Sequence, residues 1–264
     1  MRWLASPAVV ACLFAAAPAH AAPTITMSGS VVTRSLVADL AYFYRHAVDD
    51  PPRFSLVGGV TATGIGDAQR GISDAGLVAR ALVPGDPADL RLTTLARSGV
   101  CLVTNRANPV PGVTRAQIQD IVAGRVTSWS QVPGSPRSDP IVPVALDPTT
   151  GGAQVFQTVF VDDATLALYH PVALAADTQV RDYVEQTPAA FGYVDLALTA
   201  PLHVARYNGV GCTRATIRAA TYPASRPLGV VTRGAPHGTL ARFLRWVRTS
   251  RRARAGIDTR YVTP

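Results

Sequence analysis

The chain has 264 residues, nearly half of them hydrophobic, and a formal net charge of +8. That length can bury one large core or two smaller ones. Every basic residue is an arginine, which excludes a Walker A lysine, a Schiff-base lysine and a Ser-x-x-Lys acylating pair.

In chain order, residues 1–22 read as a secretory signal. Arg2 supplies its charge, Trp3 to Ala17 its apolar segment, and Ala19-His20-Ala21 a small-x-small cleavage site. The apolar run is too short for a good membrane span. Cleavage removes Cys12 and leaves Cys101 and Cys212, which in an oxidising compartment either pair or stay as buried thiols; the sequence does not choose.

Thr24 to Ser28 alternates as a strand and runs into Gly29-Ser30-Val31-Val32. A helix follows with Leu36, Val37, Leu40, Phe43, Tyr44 and Ala47 on one face. Phe54 to Val57 begins a second strand. Gly58 to Gly66 is then a small-residue loop, expected to lead into a short helix around Asp67 to Arg70. Gly64-x-Gly66 hints at a dinucleotide loop, but Gln69 stands at the third glycine position, so that reading fails. Ile72 to Ala81 and Leu102 to Thr104 are further strand candidates. Thr114-x-x-Gln117 is a capping-box signature opening a helix that Gly124 stops.

Ile141 to Phe160 repeats the strand–loop–helix order a third time. An apolar run breaks at Pro148, Thr149 to Gly152 supply two hydroxyls and two glycines, and Val155, Phe156, Val159 and Phe160 resume at helical spacing. Backbone N–H groups at a helix start lack intrahelical partners and carry the positive end of the macrodipole, so small residues there let an anion approach. One such loop is usually only an N-cap; three in one chain mean more. A helix with Val180, Tyr183 and Val184, strands over Phe191–Val194, Leu202–Arg206 and Leu228–Thr232, and a last helix burying Leu240, Phe243, Leu244 and Val247 complete an α/β pattern.

These signals, in this order from about Thr24 to the C-terminus, resemble the periplasmic phosphate-binding proteins of ABC transporters. Gly29-Ser30 is similar to that family's first anion loop, Thr61-Ala-Thr-Gly-Ile65 to its second and Thr150-Gly151-Gly152 to its third. Asn105 to Pro109, Gln117-Ile118, Gly124 and Trp129, Gly192-Tyr193-Val194, and Tyr222-Pro223 with Arg226-Pro227 match further landmarks. The resemblance implies a two-lobed type II periplasmic binding protein fold with a ligand cleft between the lobes. It places residues 23–104 with 205–264 in one lobe and 105–204 in the other, with crossing strands near 103–106 and 203–206. Ser30, Thr61 and Thr150 would give hydroxyl contacts, and the N–H groups of Val31, Val32, Gly151 and Gly152 would complete the cradle. The implied ligand is an inorganic oxyanion, phosphate first; the implied partner is a membrane permease; the protein would be a periplasmic monomer with no cofactor and no metal.

Three positions depart from the family pattern. Val31 lacks a hydroxyl, Ala79 stands where a carboxylate or hydroxyl is common, and Leu146 replaces an arginine whose fork on an oxyanion is worth about 1.5–3 kcal/mol. Arg34, Arg70 and Arg80 are candidates to compensate, though each also reads as a surface or lobe-stabilising arginine. An alternative therefore stays open: a relative with weakened or lost ligand binding, acting as an exported interaction or sensing module. Catalysis finds little support. His46, His170, His203 and His237 have no metal-ligand spacing, and Gly71-Ile-Ser-Asp-Ala75 fails the nucleophile-elbow pattern at its last position. The arginine-rich C-terminal helix has no aromatic interleaving or nucleic-acid motif, so a solvated face explains it and no nucleic-acid partner is implied.

Overall fold

Strand β1 (Thr24–Ser30) is buried from Met27 onward and lies between two parallel neighbours, β2 (Arg53–Gly59) and β3 (Ala75–Val78). The structure, a computed structural model, describes residues 22–166 and 170–264. The signal segment expected over residues 1–22 therefore lies, except for Ala22, outside the described residues. Helix α1 (Val31–Arg45) packs Leu36, Val37, Leu40, Ala41 and Tyr44 inward; Phe43 is half-buried, and Ala47 lies beyond the helix end and is exposed. Helix α2 (Thr61–Arg70) starts well before Asp67, so most of the second small-residue loop is helical. Gly64 explains the difference. A Cβ there would stand 2.6 Å from the Leu77 carbonyl oxygen, so α2 presses backbone against backbone on β3. Glycine costs a helix about 1 kcal/mol, but here it allows the close approach that fixes where Thr61 stands.

Strand β4 (Leu90–Thr104) is far longer than the expected Leu102–Thr104. Its first half pairs antiparallel with β11 (Ser225–Arg233), and its second half with β8 (Ala190–Asp195). A register shift at Leu228/Gly229 interrupts the two-residue alternation there, which hides the strand from a periodicity reading. The sheet continues from β8 through β6 (Val142–Leu146) to β7 (Val172–Leu174). The full order is β2-β1-β3-β11-β4-β8-β6-β7, with β9 (His203–Val204) beside β4. Strands β5 (Gly112–Val113) and β10 (Arg206–Tyr207) form a separate parallel pair.

Two large cores flank the middle of β4. The first joins Ile25, Leu77, Ala96 and Leu228 to α1, α7 (Gly238–Thr249) and α8 (Arg251–Ile257). The second joins Trp129, Phe160, Phe191 and Tyr207 to α3 (Arg115–Val122), α4 (Gly151–Val155), α5 (Asp177–Gln186) and α6 (Arg214–Arg218). Helix α4 continues without a break as a π-helical segment, Phe156–Val161. The Thr114–Gln117 capping box forms as read, and Gly124 follows α3 at φ 71°.

The packing changes sides between Ala96 and Val100 and between Ala224 and Leu228. Two long-range ties hold residues 207–224 to the far half of β4. Cys101 and Cys212 form a disulfide with a Cα separation of 5.5 Å, and the Tyr222 hydroxyl donates to the Val100 carbonyl at 2.7 Å. Among the described residues no helix is long and apolar enough to cross a membrane.

Candidate functional site

Four helix N-termini meet between the two cores. Ser30 caps α1, Thr61 opens α2, Thr150 caps α4 and Asp177 opens α5. Together with Val31, Val32, Gly151 and Gly152, they line a cavity of about 20 Å³. All seven residues singled out from the sequence are thus brought to one place. A volume of that size holds about one water molecule, so the walls stand close. Gly151 shows how close: a Cβ on it would lie 2.8 Å from the Ala79 carbonyl oxygen and 2.9 Å from Thr61 Oγ1.

The three hydroxyls share one bonding pattern. Ser30 Oγ accepts from the Thr33 N–H at 3.5 Å, Thr61 Oγ1 from the Ala79 N–H at 3.2 Å, and Thr150 Oγ1 from the Ala153 N–H at 3.1 Å. None of them donates its own proton to an acceptor among the described residues, so three O–H donors remain at the rim of one cavity. With the partial positive charge of the helix ends, this rim suits an anion without any lysine. Thr149, the other hydroxyl of the third loop, instead donates to Asp147. The Val31 side chain is exposed, and Val32 packs partly against the first core.

The floor of the cavity is charged. Arg226, on β11, is 3% exposed. Its Nη2 donates to Asp195 Oδ2 at 2.8 Å, while its Nε is buried without a partner. Asp195 closes β8; its Oδ1 accepts from the Ala197 N–H, and its own N–H donates to Asp177 Oδ1 at 2.8 Å. Burial pushes the Asp177 carboxyl above the ordinary carboxylate range; Arg226 opposes that shift and Asp195 adds to it. The guanidinium is thus paired with Asp195, and Asp177 feels only its charge.

The proposed compensating arginines stand elsewhere. Arg70 pairs with Asp67 at 2.9 Å on the surface. Arg80 pairs with Asp86 at 2.6 Å, its hydrogen bond holding the Asp86 carboxyl below the usual range, and reaches Gln154 on α4. Arg34 has a buried Nε without a partner, beside Gly58. None of the three lines the cavity; Arg226 does. Sequence reading noted Arg226 only as a landmark, although an arginine entering an apolar strand is itself a signal, because a buried guanidinium needs a partner. Leu146, where an arginine was expected, is a core residue whose N–H donates to the Tyr193 hydroxyl at 3.1 Å. Larger cavities of about 620 and 320 Å³ lie along α7, and both are lined by residues on the first core's side alone.

A family model described as a PBP superfamily domain matches residues 15–251. Phosphate-binding protein PstS 2 of Streptococcus pneumoniae serotype 4 is 25% identical over 114 residues, 43% of this chain and 38% of that protein. The match thus spans well under half of that relative's length. Among solved structures, one from Clostridium perfringens, assigned as a phosphate ABC transporter substrate-binding protein and holding bound phosphate, superposes with a TM-score of 0.84 at 22% identity, covering 91% of this chain and 98% of its own. An ABC-type phosphate transport receptor from Vibrio cholerae superposes with a TM-score of 0.75 at 23% identity, covering 91% and 100%. At these identities the two structures establish the α/β, two-lobed fold.

Proposed function

The chain belongs to the PBP superfamily, and from that premise we propose that it is an exported receptor, not an enzyme, that captures a tetrahedral oxyanion, phosphate first, for an ABC transporter. One observation carries the reading: three hydroxyls with undonated protons and four helix N-termini surround one small cavity between the two cores. Ser30, Thr61 and Thr150 donate O–H bonds to the anion, and the N–H groups of Val31, Val32, Gly151 and Gly152 add to them. Arg226 supplies the guanidinium that Leu146 does not. The phosphate recorded in the Clostridium perfringens structure supports the choice of ligand.

Capture works by closure. Contacts from both sides of the cleft favour the closed arrangement, so the anion shifts the population toward it. The two lobes of this reading follow the two cores, with β4 and β11 running between them. The closed form is what a membrane permease recognises, on the outer side of the cytoplasmic membrane. A relative without ligand binding was motivated by the departures at Val31, Ala79 and Leu146, the last of them a missing arginine. The Leu146 part of that motive weakens, because a buried guanidinium with an unpartnered Nε does line the cavity.

Titration calorimetry of the anion-stripped protein tests the reading. Phosphate is expected to bind with a Kd of about 1 μM or tighter, which corresponds to about −8 kcal/mol. A folded protein that gives no heat with phosphate, arsenate or sulfate would overturn it.

A further inference from the structure

A second cavity, of about 100 Å³, adjoins the anion cavity, and Val31, Val32, Ala176 and Asp177 line both. Its other walls include Ser35, one turn along α1, and Ala197 and Leu198 in the helical turn after β8. Tyr261, in the segment after α8, completes it. At the ~30 Å³ that a water takes up in the liquid, this cavity has room for about three non-hydrogen atoms. Most polar side chains along it are committed elsewhere. Ser35 Oγ donates to the Val31 carbonyl at 3.1 Å, Asp195 is paired with Arg226, and Arg260 is tied to Asp39. What remains is largely aliphatic. Tyr261 differs: it is 3% exposed, yet its hydroxyl makes no hydrogen bond among the described residues. A buried phenol usually finds a partner. Burial also pushes its pKa up, so it stays a donor. An aliphatic chamber beside an anion site thus ends on one O–H that lacks an acceptor.

We infer that the cleft also captures small phosphonates, whose organic group fills this second cavity and ends in an oxygen that accepts the Tyr261 O–H. The inference rests on the oxyanion reading above. The three phosphonate oxygens take the rim's hydroxyl and N–H donors, as oxygens of phosphate would. The carbon on phosphorus points toward Val31, which has no hydroxyl to offer a fourth oxygen. Each carbon buried against the aliphatic wall adds about fourfold in affinity, and the Tyr261 hydrogen bond adds about three- to tenfold. Phosphate, which carries no such group, gains from neither.

Methylphosphonate, ethylphosphonate and 2-hydroxyethylphosphonate are the probes, and phosphate is the control. Calorimetry at one alkaline pH, where all four are dianions, is expected to show affinity rising about fourfold from methyl to ethyl. The terminal hydroxyl should raise it about three- to tenfold again. Tyr261→Phe keeps the ring and should lose only the second gain, with phosphate and ethylphosphonate binding as in wild type. Ser35→Leu, at an exposed helix position, fills the cavity. It should abolish both gains and leave phosphate binding unchanged. Phosphate binding with no phosphonate binding, an affinity series that does not rise, or gains that survive both variants would overturn the inference and leave the proposed function standing. Phosphonates bound without phosphate would uphold the inference and displace phosphate as first ligand. No binding of any of the four by folded wild type would overturn both. If Tyr261→Phe does not fold, the wild-type series and Ser35→Leu decide.

Discussion

Ser30, Thr61 and Thr150 form a neutral rim around the cavity, whereas Arg226 and Asp177 line it with charge and Asp195 holds both, a charged floor that is kept in place differently. Two of the rim hydroxyls are fixed by a backbone N–H three residues along the same chain segment. The floor is assembled over distance: Arg226 and Asp195 are 31 residues apart, and Asp195 and Asp177 are 18 apart. At Ser30 and Thr150 the rim is therefore a product of local helix capping, whereas Thr61, held by the Ala79 N–H 18 residues away, and the floor are products of the fold. Removing part of the rim should weaken ligand binding more than folding. Removing part of the floor should damage both.

The largest effect is expected at the floor. Arg226→Met leaves Asp195 buried and unpaired, and losing one partner of such a pair costs about 3–5 kcal/mol. Urea unfolding should show a loss of that size, together with loss of phosphate binding. Pairing the change with Asp195→Leu should restore much of the stability but none of the binding, because well-packed apolar replacements remove the stranded charge without returning the guanidinium. A single variant within about 1 kcal/mol of wild type would mean the ion pair does not hold the floor.

At the rim the balance reverses. Thr150→Ala removes the N-cap of α4, at a cost of about 1 kcal/mol in stability. It also removes an O–H donor to a charged ligand, worth about 1.5–3 kcal/mol, or roughly ten- to a hundredfold in affinity. Calorimetry and unfolding on the same preparation decide the matter. A stability loss larger than the affinity loss would make Thr150 a structural cap only.

The same contrast explains what the sequence revealed. Ser30, Thr61 and Thr150 were legible because small residues before an apolar helical stripe follow a local rule, and the strand–helix alternation that defines the α/β class is local too. The start of α2 was missed because Gly64 serves packing against β3 and not loop flexibility. Most of β4 was missed because its partner slips register at Leu228/Gly229. The pairing of Cys101 with Cys212, left open by the sequence, spans 111 residues. Neither Arg226 nor Asp177 shows its partner until β8, β11 and α5 are placed together. Losses at Val31, Ala79 and Leu146 could be read one position at a time; the compensating charge could not.

The smallest expected effect separates the two carboxylates of the floor. The Asp177 carboxyl is raised by burial in the folded protein and returns to its ordinary value, about 3.9, when the chain unfolds. Below that value both states hold the proton, and Asp177 does not tilt the balance. As pH rises from there to the raised folded value, the unfolded chain releases its proton first, so stability declines; above the folded value the penalty is constant. Asp86 behaves oppositely. Its folded carboxyl is lowered by the hydrogen bond from Arg80, so its contribution is present at neutral pH and lost as pH falls through the folded value. Because Asp86 is common to both proteins, the difference between wild type and Asp177→Asn isolates Asp177. The variant should match wild type in acid and become the more stable of the two as pH rises toward neutrality. Denaturation midpoints over a pH series measure this. A variant no more stable than wild type at neutral pH would mean that Arg226 and the neighbouring N–H donors already offset the cost of ionising Asp177, and burial of that carboxyl would then carry no stability penalty for the asparagine to remove.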